Sequence, residues 1–276
     1  MCRVSRNLDD IYLSICKDLL HAPKVGNTRE LTNVKLVLKD ISNSIVGVRE
    51  ISLSYLFGEM VWYFTGRNET SFISKFSKFW ANISDDGVTA NSAYGYLMKY
   101  AFGFDQIEKV IEILKKDPNS RRAKININTP RKNVDTTLDE PCTMFLHFMI
   151  RHNKLHCTAV MRSNDIWYGL PYDVAFFTEV QKFIADKLGL AYGEYTHFAC
   201  SLHMYDRDVE RITKIVNAPS SVPVHFNREN FHKYCNVIGD AIDKPGAFWE
   251  DMNPRDYLMT LLKSYGIFRI DSEVQQ

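Results

Sequence analysis

Hydrophobic positions recur at helical spacing over residues 8–21, LDDIYLSICKDLLH, where Ile11, Leu13, Ile15, Leu19 and Leu20 fall on or near one face. Gly26-Asn27 marks a loop, and the run over 31–38 predicts a strand. Residues 50–64, EISLSYLFGEMVWYF, predict a buried helix ended by Gly66. An amphipathic helix is expected over 105–116, stopped at Asp117-Pro118 because a residue before proline is turned away from helical angles. From Arg122 the period shortens: KININ, TMFLHFMI, KLHCTAVMR and YTHFACSLHMY are alternating or apolar runs of strand length, with His152-Asn153 as a hairpin turn. Between the last two, FTEVQKFIADKLG predicts a helix closing at Gly189. The final quarter holds a helix over 207–216, a proline-interrupted segment and a helix near 254–264. The class is α+β, a central, mostly β region with helices on its outer face. No repeat, low-complexity tract or long linker is visible, so one domain over 1–276 is expected.

Composition narrows the partners. Of 276 residues, 45% are hydrophobic and 24% charged, the balance of a globular protein that buries a sizeable core. Lys plus Arg is 34 against 33 for Asp plus Glu, a net charge of +1, so polymeric nucleic acid is not the expected partner. The six cysteines form no CxxC pair and no Cys/His run at zinc spacing, which predicts reduced thiols in a cytoplasm and no metal. No signal-peptide core and no stretch approaching 18 apolar residues is present, so no membrane is expected.

Several residues have the makings of chemistry. Pro141 stiffens the chain before Cys142, whose thiol is either a small buried hydrophobe or, beside a cation, a nucleophile. Arg162-Ser163 joins a planar cationic fork to a neutral donor, which suits a phosphate or a solvated turn. Arg121-Arg122 after a Pro-Asn-Ser turn, and Arg29 after Gly26, are further candidate anion clamps. Glu59 is the one charged side chain between Ile51 and Phe64; it is either a proton carrier or part of a polar stripe. Gly169-Leu170-Pro171-Tyr172-Asp173 leads into a helix, where the dipole alone favours an acid. His203 and Tyr205, two apart on a strand, point the same way; they either donate to sugar hydroxyls or are ordinary half-buried polar residues.

These pieces share the order and spacing of thymidylate synthase, which the chain resembles from about residue 8 to 215. EPCTMFLHF, RSND, GLPYDVA and SLHMY are similar to that family's PCH…QF, RSxD, GLPFN[IV]A and THLY-like segments. Upstream, EMVWYFTG from Glu59 resembles its EL-WFL-G helix, DPNSRR from Asp117 its DP-SRR, and Ala93-Tyr94-Gly95 its VYG. The resemblance implies that Cys142 is the nucleophile adding to C6 of a pyrimidine nucleoside monophosphate. It implies phosphate ligation by Arg29, Arg162 and Ser163. Arg121 and Arg122 would reach across from a partner subunit, in a homodimer formed through the sheet. Asp165, with Trp80 and Gly169, would face 5,10-methylenetetrahydrofolate. Glu59 and Tyr94 would form a water-linked proton-transfer network, and His203 and Tyr205 would hold the sugar.

Departures from the family pattern shape the expectation further. Asp173 stands where the synthase has asparagine, the pattern of the deoxycytidylate 5-hydroxymethyltransferase branch. An amide offers uracil a donor and an acceptor, whereas a carboxylate only accepts and suits the cytosine amino group. The segment from about 217 diverges and ends FRIDSEVQQ, without the synthase's apolar tail, and Ile83 stands near the second of two folate-pocket tryptophans. A wetter pocket favours water over hydride as the final acceptor partner, hence a hydroxymethyl product. Thr143 for histidine and His147 for glutamine also change the nucleotide pocket. The expected activity is C5 hydroxymethylation of dCMP or CMP in a cytoplasm, that of a host if the chain is viral. The alternatives are a thymidylate synthase or dUMP hydroxymethylase, and a non-catalytic nucleotide- or RNA-binding relative.

Overall fold

Side-chain caps start the helices where the hydrophobic pattern begins. Asn7 accepts a 2.9 Å bond from the Asp9 N–H, Ser52 a 3.3 Å bond from the Tyr55 N–H, and Asp105 bonds from the N–H groups of Ile107 and Glu108. Gly66 (φ 72°) and Gly189 (φ 66°) take left-handed angles at helix ends, which glycine does without strain. His152 and Asn153 both have positive φ, 51° and 56°, as a two-residue hairpin turn matching the strand twist requires.

The computed structural model describes residues 1–131, 133–222, 224–243 and 252–270, with backbone alone for 269 and 270; the polar tail over 271–276 lies outside them. The elements run β1 (Cys2–Ser5), α1 (Leu8–Leu20), β2 (Lys24–Val25), β3 (Thr28–Leu38) and α2 (Leu53–Phe64). Three short helices follow, α3 (Thr70–Ile73), α4 (Phe79–Ile83) and α5 (Tyr94–Lys99), then α6 (Gln106–Lys116). The β-rich half holds β4 (Lys124–Asn126), β5 (Thr143–Arg151), β6 (Lys154–Asp165), α7 (Leu170–Leu188) and β7 (Ala191–Tyr205). The last are α8 (Val209–Asn217), β8 (Val224–Phe226), α9 (Arg228–Asp243), α10 (Pro254–Ser264) and β9 (Phe268–Ile270). Periodicity marks α7 only from Phe177, but its start at Leu170 agrees with Gly169-Leu170-Pro171-Tyr172-Asp173 leading into a helix, with the proline in the first turn. It also misses α9, although Phe231, Cys235, Ile238 and Ile242 stand at helical spacing.

Two compact units emerge. The first comprises Met1–Glu50, Phe104–Thr129 and Cys142–Ser221. Its sheet has the order β1-β3-β7-β6-β5-β4, with β2 beside β3. The β1–β3 and β6–β7 pairs are parallel and the rest antiparallel. Helix α7 packs on β6 and β7, where Gln181 Nε2 donates to the carbonyls of Leu155 at 2.8 Å and Gly193 at 3.2 Å. Side-chain alternation slips phase at one level of the sheet. Buried positions are odd up to Met161 on β6 and Ala199 on β7, then even from Asn164 and Leu202. Between the same levels on β3, Asn33 takes φ 55°. The slip turns Asn164 inward under α7, and leaves Ser163, Asp165, His203 and Tyr205 on the other face, paired Ser163 to Ser201 and Asp165 to His203.

The second unit comprises Ile51–Gly103, Pro130–Pro141 and Val222–Gln276. At its centre α2 buries every residue from Leu56 to Tyr63. Phe57 is ringed by Phe226, Phe231 and Phe268 at centroid distances of 5.3, 6.4 and 5.6 Å. Gly95 lets α5 lie against α2, since a Cβ there would fall 1.8 Å from the Tyr63 carbonyl oxygen. Gly95→Ala is therefore expected to cost about 3 kcal/mol or more, read as a fall in melting temperature; an unchanged melt would contradict this packing. No helix among the described residues is long and apolar enough to cross a membrane.

Candidate active site

Cys142 precedes β5 and its carbonyl accepts the Arg162 N–H at 2.8 Å, so the thiol-bearing residue and the arginine sit side by side on neighbouring strands. Cys142 is partly exposed, whereas Cys16, Cys157 and Cys235 are buried. Burial pushes the thiols of Cys16 and Cys235 up to about 12 and raises that of Cys157, so none of these three is a usable thiolate at neutral pH. Next to Arg162, Ser163 Oγ lies 3.5 Å from His203 Nδ1, and the His203 ring meets Tyr205 edge-on at 5.2 Å. Burial lowers the His203 pKa, with the charges of Asp165 and Glu30 opposing. Asp165 Oδ1 accepts the N–H groups of Trp167 at 2.7 Å and Tyr168 at 3.3 Å. Among the described residues those bonds engage one oxygen of Asp165.

The sequence-derived anion clamps divide. Arg162 and Ser163 fall together beside Cys142. Arg29 lies on β3, and its Nη1 is engaged at 2.7 Å by the Leu20 carbonyl. Arg121 and Arg122 are exposed on the approach to β4, where the Arg121 carbonyl lies 3.1 Å from His147 Nε2. The order of the sheet puts β5 between that edge and the strand of Arg162.

Asp173, in the first turn of α7, is the unusual group. A helix N-terminus should favour its charge, yet its pKa is pushed up to about 7, by burial first, against a hydrogen bond from Asn164 and with help from the Asp165 charge. The bond runs from Asn164 Nδ2 to Asp173 Oδ2 at 2.7 Å. Behind it, His197 Nε2 lies 3.0 Å from Asn164 Oδ1 and Tyr195 Oη 2.9 Å from His197 Nδ1. Tyr195, His197 and Asn164 are all buried. Gly169 makes room for this chain: a Cβ there would approach Asn164 Nδ2 to 2.8 Å and the 165 carbonyl oxygen to 2.9 Å.

In the second unit Glu59 is buried on α2 between two tyrosines of its own helix. Tyr55 donates to Glu59 Oε1 at 2.5 Å and Tyr63 at 3.5 Å. Trp80 Nε1 donates to Tyr55 Oη at 3.1 Å, and the Tyr63 ring stacks on Tyr94 at 5.3 Å. Glu59, Tyr94 and Trp80 thus belong to one aromatic cluster around a single carboxyl.

The profile of the thymidylate synthase family matches residues 10–236, most of the chain. The chain belongs to the thymidylate synthase family. It is 30% identical over 213 residues to the deoxyuridylate hydroxymethyltransferase of Bacillus phage SP01, covering 71% of this chain and 55% of that protein. It is 37% identical over 115 residues to a putative thymidylate synthase of Methanocaldococcus jannaschii, covering 40% and 52%. It is 26% identical over 242 residues to the thymidylate synthase of Clostridium beijerinckii, covering 82% and 90%. The chain thus spans about half the length of the first two relatives. The solved thermostable thymidylate synthase A from Bacillus subtilis shares the fold, with a TM-score of 0.68 at 20% identity over 81% of this chain and 89% of that one.

Within this thymidylate synthase fold, sequence reasoning names the thiol, the acid and the arginines as candidates and does not single out Tyr55 and Tyr63, which bond to Glu59, or Asn164, Tyr195 and His197 behind Asp173. Tyr55 and Tyr63 were legible, since they flank Glu59 by one helical turn on each side. The other three are hidden by the phase slip in the sheet.

Proposed function

We propose that this chain transfers a one-carbon unit from a folate to C5 of a cytosine nucleoside monophosphate and releases the 5-hydroxymethyl nucleotide. One observation carries the choice of base: a carboxyl, not an amide, at position 173, with a pKa near 7. At that pKa the group supplies the single proton that cytosine N3 needs while its other oxygen accepts from the amino group. Methylenetetrahydrofolate, when bound, supplies the carbon; Asp165 and Trp80 are the residues assigned to hold it.

The chain's own groups do the rest. The Cys142 thiolate, favoured by the neighbouring Arg162, adds to C6 and gives C5 the electron density to bond to carbon. Arg162 and Ser163 bind the phosphate, joined by Arg29 and by Arg121 and Arg122 of a second subunit. His203 and Tyr205 bind the sugar. Glu59, aided by Tyr94, moves protons, including the one lost from C5. As that proton leaves, the bond from the new carbon to the folate nitrogen breaks and tetrahydrofolate departs; water adds to the exocyclic methylene left on the pyrimidine, and the thiolate leaves C6. Ile83 and the name of the phage relative both support water rather than hydride at this step. Glu59→Gln is expected to lower kcat by about 10²–10³-fold while leaving nucleotide affinity within a few-fold, checked by steady-state kinetics and calorimetry. Equal losses in kcat and affinity would contradict a proton-transfer role.

The homodimer is proposed to form through the face of the sheet carrying the half-exposed Met149, Val160 and Phe198; a monomer in analytical ultracentrifugation would contradict it. A uracil substrate is the second reading. The phage relative's name favours it, and a neutral Asp173 can also offer a donor and an acceptor. Release of tritium from C5 of dCMP and dUMP separates the two: faster release from dCMP is expected, and faster release from dUMP would overturn the choice of base.

A further inference from the structure

An acid facing the 3,4 edge of a pyrimidine does not by itself choose a base. Cytosine needs an acceptor opposite its amino group and a donor opposite N3; uracil needs a donor opposite O4 and an acceptor opposite N3–H. A carboxylic acid satisfies either, according to which oxygen carries its proton. Selectivity requires that the proton be kept on one of them.

The buried chain behind Asp173 has the connectivity to do this. His197 is buried and its pKa falls to about 3, so the ring is neutral and bears one proton. Tyr195 keeps its own proton, because burial raises its pKa well above the ordinary value. Asn164 Oδ1 can only accept, so the single ring proton sits on Nε2, and His197 Nδ1 accepts from the Tyr195 hydroxyl. The Nε2–H donates to Asn164 Oδ1, which fixes the amide so that Nδ2 points to Asp173 Oδ2. An oxygen that already accepts an N–H is the less basic of the two, so the carboxyl proton belongs on Oδ1.

We propose that Tyr195, His197 and Asn164 form a positioning relay that fixes the protonation pattern of Asp173, with unprotonated Oδ2 for the cytosine amino group and protonated Oδ1 for N3. The proposal rests on the reading that Asp173 meets the base. Without the relay the Asn164 amide can turn over, present its oxygen, and stabilise the opposite pattern, which reads uracil. The relay residues are specificity residues that touch no substrate.

The test is the ratio of kcat/KM for dCMP to that for dUMP, with methylenetetrahydrofolate, in wild type, Asn164→Leu, His197→Leu, His197→Gln and Tyr195→Phe. Asn164→Leu and His197→Leu are expected to move the ratio toward one by about 10–100-fold, with the folate KM changed less than about three-fold. His197→Gln, whose amide N–H can replace Nε2–H, is expected to retain the ratio within about three-fold. Tyr195→Phe, which removes one hydroxyl, is expected to shift it about 3–10-fold even if the leucine variants do not fold. Folded variants that all keep the wild-type ratio would overturn the relay. A wild type that prefers dUMP would overturn the cytosine reading alone, since the ratio would still move toward one when the relay is cut.

Discussion

Cys142→Ser is expected to lower turnover by about 10³-fold or more, because a serine hydroxyl is hardly ionised where a thiolate forms readily. Replacement by another thiol is not expected. Cys16, Cys157 and Cys235 are buried with raised pKa values, and Cys2 and Cys200 are exposed at other positions on the sheet. The change removes little volume at a partly exposed position, so the melting temperature should move by only a degree or two. Nucleotide binding should persist, since the residues proposed to hold the phosphate and sugar are untouched. Release of tritium from C5 is the sensitive readout, because it requires addition at C6 before the folate step is complete. Full folate-dependent turnover by the variant would contradict covalent catalysis.

Asp173→Asn is expected to lower kcat/KM for dCMP and move the ratio of dCMP to dUMP toward one, on the order of 10²–10³-fold. An amide held by Asn164 can hydrogen-bond to N3 of cytosine but has no proton to release to the ring as the thiolate adds at C6, so turnover of dCMP falls. The same substitution has a stability signature of definite sign. An unfolded aspartate titrates near about 3.9, and the folded one near about 7. Between those values the native state holds the extra proton, so stability falls as pH rises from about 4 to about 7 and is level above. An asparagine lacks this slope. The variant should therefore be the more stable protein at pH 8, by roughly 2–4 kcal/mol, with the advantage shrinking toward pH 4. Melting curves across that range check it, and a variant less stable at pH 8 would contradict the raised pKa. The wild-type acid thus stabilises the fold less than an amide would, as expected of a group kept for recognition.

How far the sequence reaches depends on the kind of signal each element sends. Strands β5, β6 and β7 are legible because apolar residues alternate along them, and the hairpin at His152-Asn153 because those residue types tolerate positive φ. Helix α9 is less legible, since its four apolar positions follow a proline-interrupted stretch that reads as irregular. Among the candidate residues, Cys142, Arg162 and Asp173 of the first unit and Glu59 of the second stand out by residue type against their neighbours. Asn164 and His197 do not: their facing depends on where β6 and β7 change phase, a cooperative property of paired strands. The height of the Asp173 pKa was equally illegible. Position in the first helical turn argues for a lowered value, and only the packing around the carboxyl reverses the sign.

The most direct measurement is the mass of the nucleotide product after incubation with methylenetetrahydrofolate and an equimolar mixture of dCMP, CMP and dUMP. One added CH2O unit is expected on a cytosine nucleotide and none on dUMP. A CH2 unit added to dUMP, with the cytosine nucleotides unchanged, would contradict both the base chosen by Asp173 and the role given to water.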